Sequence, residues 1–387
     1  MKSKNNLRTW IEVDTKALAR NYLAFRKLLA RPKGLGVGPP VKLMAVVKSN
    51  AYGHGLIDFS KQMVKLGADW LGVDSIIEAI TLRQAGINKN ILVLGYTQSV
   101  NFPIAVKNNI VVTISSLNSL RQILAMSRPP QFQLKLDTGM HRQGFTSVDL
   151  VSALALLARP SVRRGRVFSK LVGVYSHLAS ASNKNHTAET HQQIVMFENA
   201  LDQLAQAGFP RQSLVKHLAA TGGTIGYPEA RYDLARIGLG FYGYYPSQEW
   251  QKNFAKKIKL HPALTWKTII SEVKTITERG AVGYDFTEQT KSGTKLAVCP
   301  IGYWHGFPRA LSSCGEVMVR GARTKVIGRV SMDMIVIDVT RIRGVKQGDV
   351  VTLIGEKISA ERLAVLAHTS VYEIITRLNP LIQKFYI

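Results

Sequence analysis

The rhythm of apolar and polar positions changes partway along this chain. Up to Trp250, short runs dense in Val, Ile and Leu recur at Lys42–Val47, Trp70–Val73, Ile91–Leu94, Ile110–Ile114, Gln133–Leu136, Leu171–Ser176 and Leu214–Leu218. Runs of this kind, without strict alternation, suit strands covered on both faces, as in a parallel sheet. Between them, Lys16–Leu29, Ser75–Gln84 and Glu189–Gln206 repeat their apolar residues at helical spacing. Strand and helix in rotation predict βαβ units, and this many predict a closed, TIM-like (β/α)8 barrel. The rival is an open doubly wound sheet, which would place a GxGxxG turn after its first strand; none occurs there. Arg31–Pro40 and Pro160–Ser169 interrupt the rhythm and are expected as surface loops.

Beyond Lys256 the runs become short and β-branched, with glycine turns between them: Thr265–Ile276, Lys295–Pro300, Gly315–Val319, Thr324–Val330, Met334–Val339 and Asp349–Ile354. That spacing predicts an all-β domain. The expected division is therefore a barrel over residues 10–256 and a β domain over 257–387, with residues 1–14 packing on the latter.

Composition narrows the class. The 387 residues accommodate two domains, one of them a barrel of about 250 residues. No apolar run reaches the roughly 20 residues that cross a bilayer, and the polar start Met1–Arg8 leads into no secretory core. A cytoplasmic protein without membrane contact is expected. Cys299 and Cys314 make no disulfide framework and no metal-ligand spacing, so no metal is expected. The net charge of +26 raises the question of nucleic acid. Yet the basic residues are scattered, the densest cluster being Arg159, Arg163, Arg164, Arg166 and Lys170, and no nucleic-acid module accompanies them. The charge predicts non-specific adhesion to polyanions and no specific nucleic-acid partner.

The sharpest local chemistry is Val46-Val47-Lys48-Ser49-Asn50-Ala51-Tyr52-Gly53-His54-Gly55. A lysine there ends an apolar strand and enters a turn of small residues, at the barrel face where catalytic groups gather. Against apolar walls its amine can form a Schiff base, although a strand-end lysine can equally reach solvent. This segment resembles the cofactor-lysine motif of the alanine racemase family, which uses pyridoxal phosphate (PLP). Six further segments resemble family motifs in the same order: Leu136–Gly144, Val172–Ala179, Asp233–Gly238, Val282–Tyr284, Pro300–Tyr303 and Gly328–Met334. The resemblance covers almost the whole chain.

The resemblance implies a role for each matching residue. Lys48 would hold the cofactor and act as one acid–base group; Tyr284 of a partner subunit would act on the opposite face of the substrate. Arg236 would meet the pyridine nitrogen, where a permanent cation disfavours a second positive charge on the ring. His177 would sit beside Tyr284 and the cofactor. Thr221, Gly238, Leu239 and Tyr52 would take the phosphate. Arg142 and the Met332 backbone would hold the substrate carboxylate, with Lys135, His217 and Asp333 in support; Lys135 stands where many members carry a carbamylated lysine. The implied protein is a homodimer with shared sites that interconverts L- and D-alanine for cell-wall precursors. Alternatives are a broad-specificity racemase or one for another amino acid (serine, lysine or arginine), and a PLP-binding homeostasis protein, which would lack the second domain. A decarboxylase on the same plan would bring a catalytic cysteine, and neither Cys299 nor Cys314 matches. Three positions depart from the family: Ala220-Thr221 for Asn-Ser, Asp285 where Gly is common, and Pro380 where many members carry a gate tyrosine.

Overall fold

The structure is a computed structural model that describes residues 4–30, 40–163 and 168–387. Positions 31–39 of the expected glycine- and proline-rich loop, and Arg164 and Arg166 of the basic cluster, lie outside the described residues. The chain forms two compact units, one of residues 19–49 and 56–260, the other of the residues through Leu18 with 50–55 and 261–387. Among the described residues no helix is long and apolar enough to cross a membrane.

From the N-terminus, β1 (Thr9–Val13) precedes eight strands that make one parallel sheet: β2 (Lys42–Val46), β3 (Trp70–Val73), β4 (Asn90–Val93), β5 (Val111–Ile114), β6 (Phe132–Lys135), β7 (Leu171–Tyr175), β8 (Val215–His217) and β9 (Leu234–Ile237). Their order is β8-β7-β6-β5-β4-β3-β2-β9. The two ends are tied by the Asp233 N–H to Lys216 O (3.1 Å) and the Arg236 N–H to Ala219 O (3.0 Å). The sheet is thus a nearly closed eight-stranded barrel. Strands β3, β5, β6 and β9 are buried at every position, as strands walled by both a core and a ring of helices must be. Strand β9 was not among the runs the apolar pattern picked out, because Arg236 interrupts it. Ser75, Ser116 and Thr146 start the helices Ile76–Gln84, Leu117–Leu124 and Ser147–Leu157 by accepting the N–H three residues on. Each such cap is worth about 1 kcal/mol.

The other unit is built on β10 (Leu264–Ile269), β11 (Glu272–Thr275), β12 (Gly280–Val282), β13 (Glu288–Thr290), β14 (Lys295–Cys299), β15 (Glu316–Val319), β16 (Ala322–Ile327), β17 (Ile335–Asp338), β18 (Val350–Ile354) and β19 (Lys384–Tyr386). A nine-stranded sheet runs β11-β14-β17-β16-β15-β18-β10-β1-β19, and β12 pairs with β13 separately. Two expectations need correction. The unit is mostly rather than wholly β, since it also holds the helices Ala360–Leu366 and Val371–Thr376. The single run expected at Thr265–Ile276 is two strands. It breaks where the Ile270 N–H bonds Asp349 O and the Ser271 N–H bonds Val298 O, as the chain leaves β18 for β14.

Residues 50–55, in the turn that follows Lys48, belong to this unit. Ser49, Asn50, Ala51 and Tyr52 all have positive φ, between 49° and 56°, so they form a left-handed turn. That conformation costs roughly 1–2 kcal/mol per non-glycine residue and must be held from outside. A Cβ on Gly53 would fall 2.1 Å from Ile375 O. The Tyr52 ring lies 6.0 Å from that of Tyr372, and the Tyr386 hydroxyl donates to His54 O at 2.9 Å.

Candidate active site

Strand β9 carries Arg236 into the barrel, where it is 3% exposed. A buried guanidinium needs its donors satisfied. Nη1 donates to His217 Nδ1 (2.7 Å) and His217 O (3.1 Å); Nη2 divides its two hydrogens among Ser176 O (2.7 Å), Leu218 O (2.8 Å) and His177 Nδ1 (3.1 Å). Nε has no partner among the described residues. A ring nitrogen that accepts from a guanidinium carries no hydrogen, so both imidazoles hold theirs on Nε2. In His217 that hydrogen goes to Gln133 Oε1 at 2.6 Å. Burial first, and the charge of Arg236 second, pull both histidines well below the ordinary imidazole range, so they are neutral. Burial also lowers Arg236 to about 10, which leaves it a cation at neutral pH.

Tyr175 stacks on His217 with ring centres 4.7 Å apart. Arg236 lies over the same tyrosine ring at 5.3 Å and Lys135 at 5.7 Å. Its hydroxyl meets Thr113 Oγ1 at 2.9 Å, and burial pushes it to about 12. Lys135, the last residue of β6, donates to Gln143 Oε1 at 3.0 Å. Burial, then the charges of Arg142, Arg236 and Lys48, bring Lys135 down to about 8, with Asp137 opposing. Arg142 is exposed on a tied loop. Asp137 Oδ1 accepts the N–H groups of Gly139, Met140 and His141 at 2.9–3.0 Å. The Phe145 N–H closes the loop on Lys135 O at 2.8 Å. Gly144 is required there, since a Cβ would lie 2.5 Å from Leu136 C.

Lys48 follows β2, with Nζ 3.4 Å from Asp74 Oδ1. Thr221 begins the short helix Thr221–Gly226 after β8, and Ala220 gives that helix no side-chain cap. Thr221 Oγ1 accepts the Gly240 N–H at 3.2 Å, beside Gly238 and Leu239 at the end of β9. In the other unit, Tyr284 follows Gly283 (φ 77°) and is 70% exposed. With Tyr303, Arg309, Arg329, Met332 and Arg377 it lines a pocket of about 770 Å³.

Two family models cover nearly all of this chain: "Alanine racemase, N-terminal domain" matches residues 13–246 and "Alanine racemase, C-terminal domain" residues 263–386. The alanine racemase of Methanococcus maripaludis is 35% identical over 98% of this chain and 98% of its own length. That of Symbiobacterium thermophilum is 36% identical over 98% and 97%. The chain belongs to the alanine racemase family. Among solved relatives, the alanine racemase of Streptomyces lavendulae superimposes with a TM-score of 0.88 at 31% identity, over 99% of this chain and 98% of that one. The Bacillus anthracis alanine racemase, solved with bound L-Ala-P, also gives 0.88, at 30% identity over 100% and 96%.

Set against the family motifs, the barrel unit brings together Lys48, Lys135, Arg142, His177, His217 and Arg236, with Thr221, Gly238 and Leu239 at the ends of β8 and β9. Tyr52, Tyr284, Met332 and Asp333 belong to the β-rich unit. There Asp285 pairs with Arg329 at 2.7 Å, and Tyr372, not the residue at 380, has its ring beside Tyr52. The sequence reading passed over Gln133 and Tyr175, although a signal was present. Gln133 lies two residues before Lys135, and Tyr175 two before His177, so strand alternation puts each pair on one face.

Proposed function

We propose that this chain is a PLP-dependent alanine racemase that works as a homodimer with shared sites. The observation that carries the reading is the saturation of Arg236: two neutral histidines and three carbonyls take its Nη donors, and Nε is left over. One remaining donor suits an acceptor that carries no hydrogen, such as an unprotonated pyridine nitrogen. The cations Lys48, Lys135, Arg142 and Arg236 make the barrel interior fit an anionic cofactor and a carboxylate substrate. Thr221 with the chain at Gly238–Leu239 would take the phosphate, with the Tyr52 hydroxyl in support. When bound, the cofactor supplies an electron-withdrawing ring that acidifies the α-hydrogen of an amino acid.

The chain's own groups do the rest. Arg142 would clamp the substrate carboxylate through two parallel N–H bonds, aided by the Met332 N–H of a second copy. Lys48 Nζ would take or return the α-hydrogen on one face, and the Tyr284 hydroxyl of the second copy on the other. Racemisation needs those two positions and no more. His177, neutral with its hydrogen on Nε2, can donate to the Tyr284 oxygen and make the phenolate easier to reach. Support for the dimer comes from apolar side chains left open on the β-rich unit: Tyr284, Phe286, Tyr303, Trp304, Met332 and Met334. Such surface is rare on a lone protein. The carbamylated form of Lys135 would suit a buried amine that loses its proton near pH 8 among cations. The free thiols Cys299 and Cys314 accord with the cytoplasm, where D-alanine would enter cell-wall precursors. Incubating the PLP-loaded protein with each L-amino acid, followed by chiral analysis, tests the reading. Alanine should reach an equal mixture of enantiomers, and no racemisation of any amino acid would end it.

A further inference from the structure

The amine of Lys48 is paired with a carboxylate whose placement is built from several directions. Asp74 directly follows β3, the strand paired with β2, and its Oδ1 lies 3.4 Å from Lys48 Nζ. It is the acidic group paired with Lys48 among the described residues. Glu78, on the helix Ile76–Gln84, accepts the Ser49 N–H on Oε1 and the Asp74 N–H on Oε2, both at 2.7 Å. One carboxylate therefore fixes the backbone beside Lys48 and the backbone of Asp74 against each other. The Asp74 carbonyl accepts the Gly95 N–H at 3.1 Å, and a Cβ at position 95 would fall 2.3 Å from that oxygen, so the close approach requires glycine.

The surrounding charge gives this pair a consequence. Lys48 acts electrostatically on Lys135 and His177, and the same two residues feel Arg142 and Arg236. His177 is neutral, so a proton on Lys48 adds to a cluster of cations that Asp137, beyond β6, and Asp74 offset. A carboxylate within ion-pair distance favours the charged form of a nitrogen.

We propose that Asp74 is a positioning residue for Lys48, holding Nζ in place and stabilising the proton that Lys48 carries when it acts on D-alanine. The inference rests on the two-base reading above, with Lys48 taken to serve the D-enantiomer and Tyr284 the L-enantiomer, as the family resemblance implies. Glu78 serves it indirectly, by tying the two backbones together.

The test uses the PLP-loaded protein with Asp74→Asn, which keeps the shape and loses the charge, and Asp74→Ala, which loses both. Asp74 is more than half exposed, so neither change empties a core position. Solvent-deuterium exchange into each enantiomer is followed by NMR, and the visible band of the bound cofactor is titrated with pH. Exchange into D-alanine should fall up to about fivefold in both variants, the worth of a half-exposed ion pair, well short of the ~10²–10⁴ expected for loss of the acid–base group itself. Exchange into L-alanine should stay within about twofold. Without the carboxylate, the cationic nitrogen loses its ion-pair partner, so the pH response of the visible band should differ from that of the wild type. Equal slowing with both enantiomers, or unchanged D-alanine exchange with an unchanged band, overturns the inference. Lys48→Ala run in parallel separates the two readings. If it keeps a borohydride-sensitive band, the proposed function fails and this inference with it. If it loses the band while Asp74→Asn behaves as wild type, only the role of Asp74 falls.

Discussion

The interior of the barrel and the pocket of the β-rich unit hold their candidate groups in opposite physical states. In the barrel, Arg236, His217, Gln133 and Tyr175 are buried, and each is hydrogen-bonded to a named partner. In the β-rich unit, Tyr284, Trp304 and Met332 are 70%, 58% and 54% exposed. The contrast follows from what each half is proposed to do. A fixed charge that must not lose its proton is kept by a saturated network, because an unpaired buried charge is very costly. A phenol that must reach another chain's substrate cannot be buried in its own. On the proposed reading, the groups of the barrel are held within one chain, and those of the β-rich unit would serve a second copy.

The comparison breaks most severely at Lys48. Lys48→Ala should abolish the visible band and essentially all turnover while circular dichroism stays native; a variant with both band and turnover would remove the cofactor assignment. Next comes Tyr284→Phe, expected to slow solvent-deuterium exchange into L-alanine by about 10²–10⁴ and into D-alanine far less, with the cofactor still bound. Equal slowing would mean that one group serves both faces. A smaller signal sharpens the claim that the open half belongs to a partner. Mixed Lys48→Ala and Tyr284→Phe subunits should regain part of the activity, since a heterodimer contains one intact composite site. No recovery after verified subunit exchange would assign a whole site to each chain.

The smallest effect concerns stability and pH. His177 and His217 are held well below 6.5, and burial brings His54 to about 4. Below pH 6.5 the unfolded chain binds protons at these histidines that the folded chain refuses, so stability falls as pH falls. His54 alone accounts for up to about 3 kcal/mol, spread between pH 6.5 and about 4. Urea midpoints at pH 7 and pH 5 measure this. A midpoint that does not drop at pH 5 would contradict neutral buried histidines.

Much of the barrel was legible because a strand covered on both faces leaves a local mark, a run of apolar residues such as Trp70–Val73. Strand β9 left none, since its Arg236 serves the interior network. The break between β10 and β11 was equally silent, being set by a change of pairing partner and not by residue type. The motif residues Lys48, Arg142, His177 and Arg236 could be named from sequence by resemblance. Asp74 could not, because what singles it out is Lys48, 26 residues away; Gln133 had a local mark in its spacing from Lys135, but its partner His217 lies 84 residues further on.

Local patterns of side chains were enough to indicate the barrel and the β-rich unit, because burial and turn preferences act over a few neighbouring residues, whereas the role proposed for Lys48 came from resemblance. Protonation and tautomer belong to the folded state alone. Both imidazoles carry their hydrogen on Nε2 only because Arg236 occupies both Nδ1 atoms, and Lys135 drops to about 8 only because burial and three cations converge on it. The left-handed turn at Ser49–Tyr52 is of the same kind. No run of residues there asks for that backbone, and Ile375, Tyr372 and Tyr386, more than 300 positions further on, are what hold it. Such properties depend on electrostatic and steric contacts across the chain, and they exist only after it has folded.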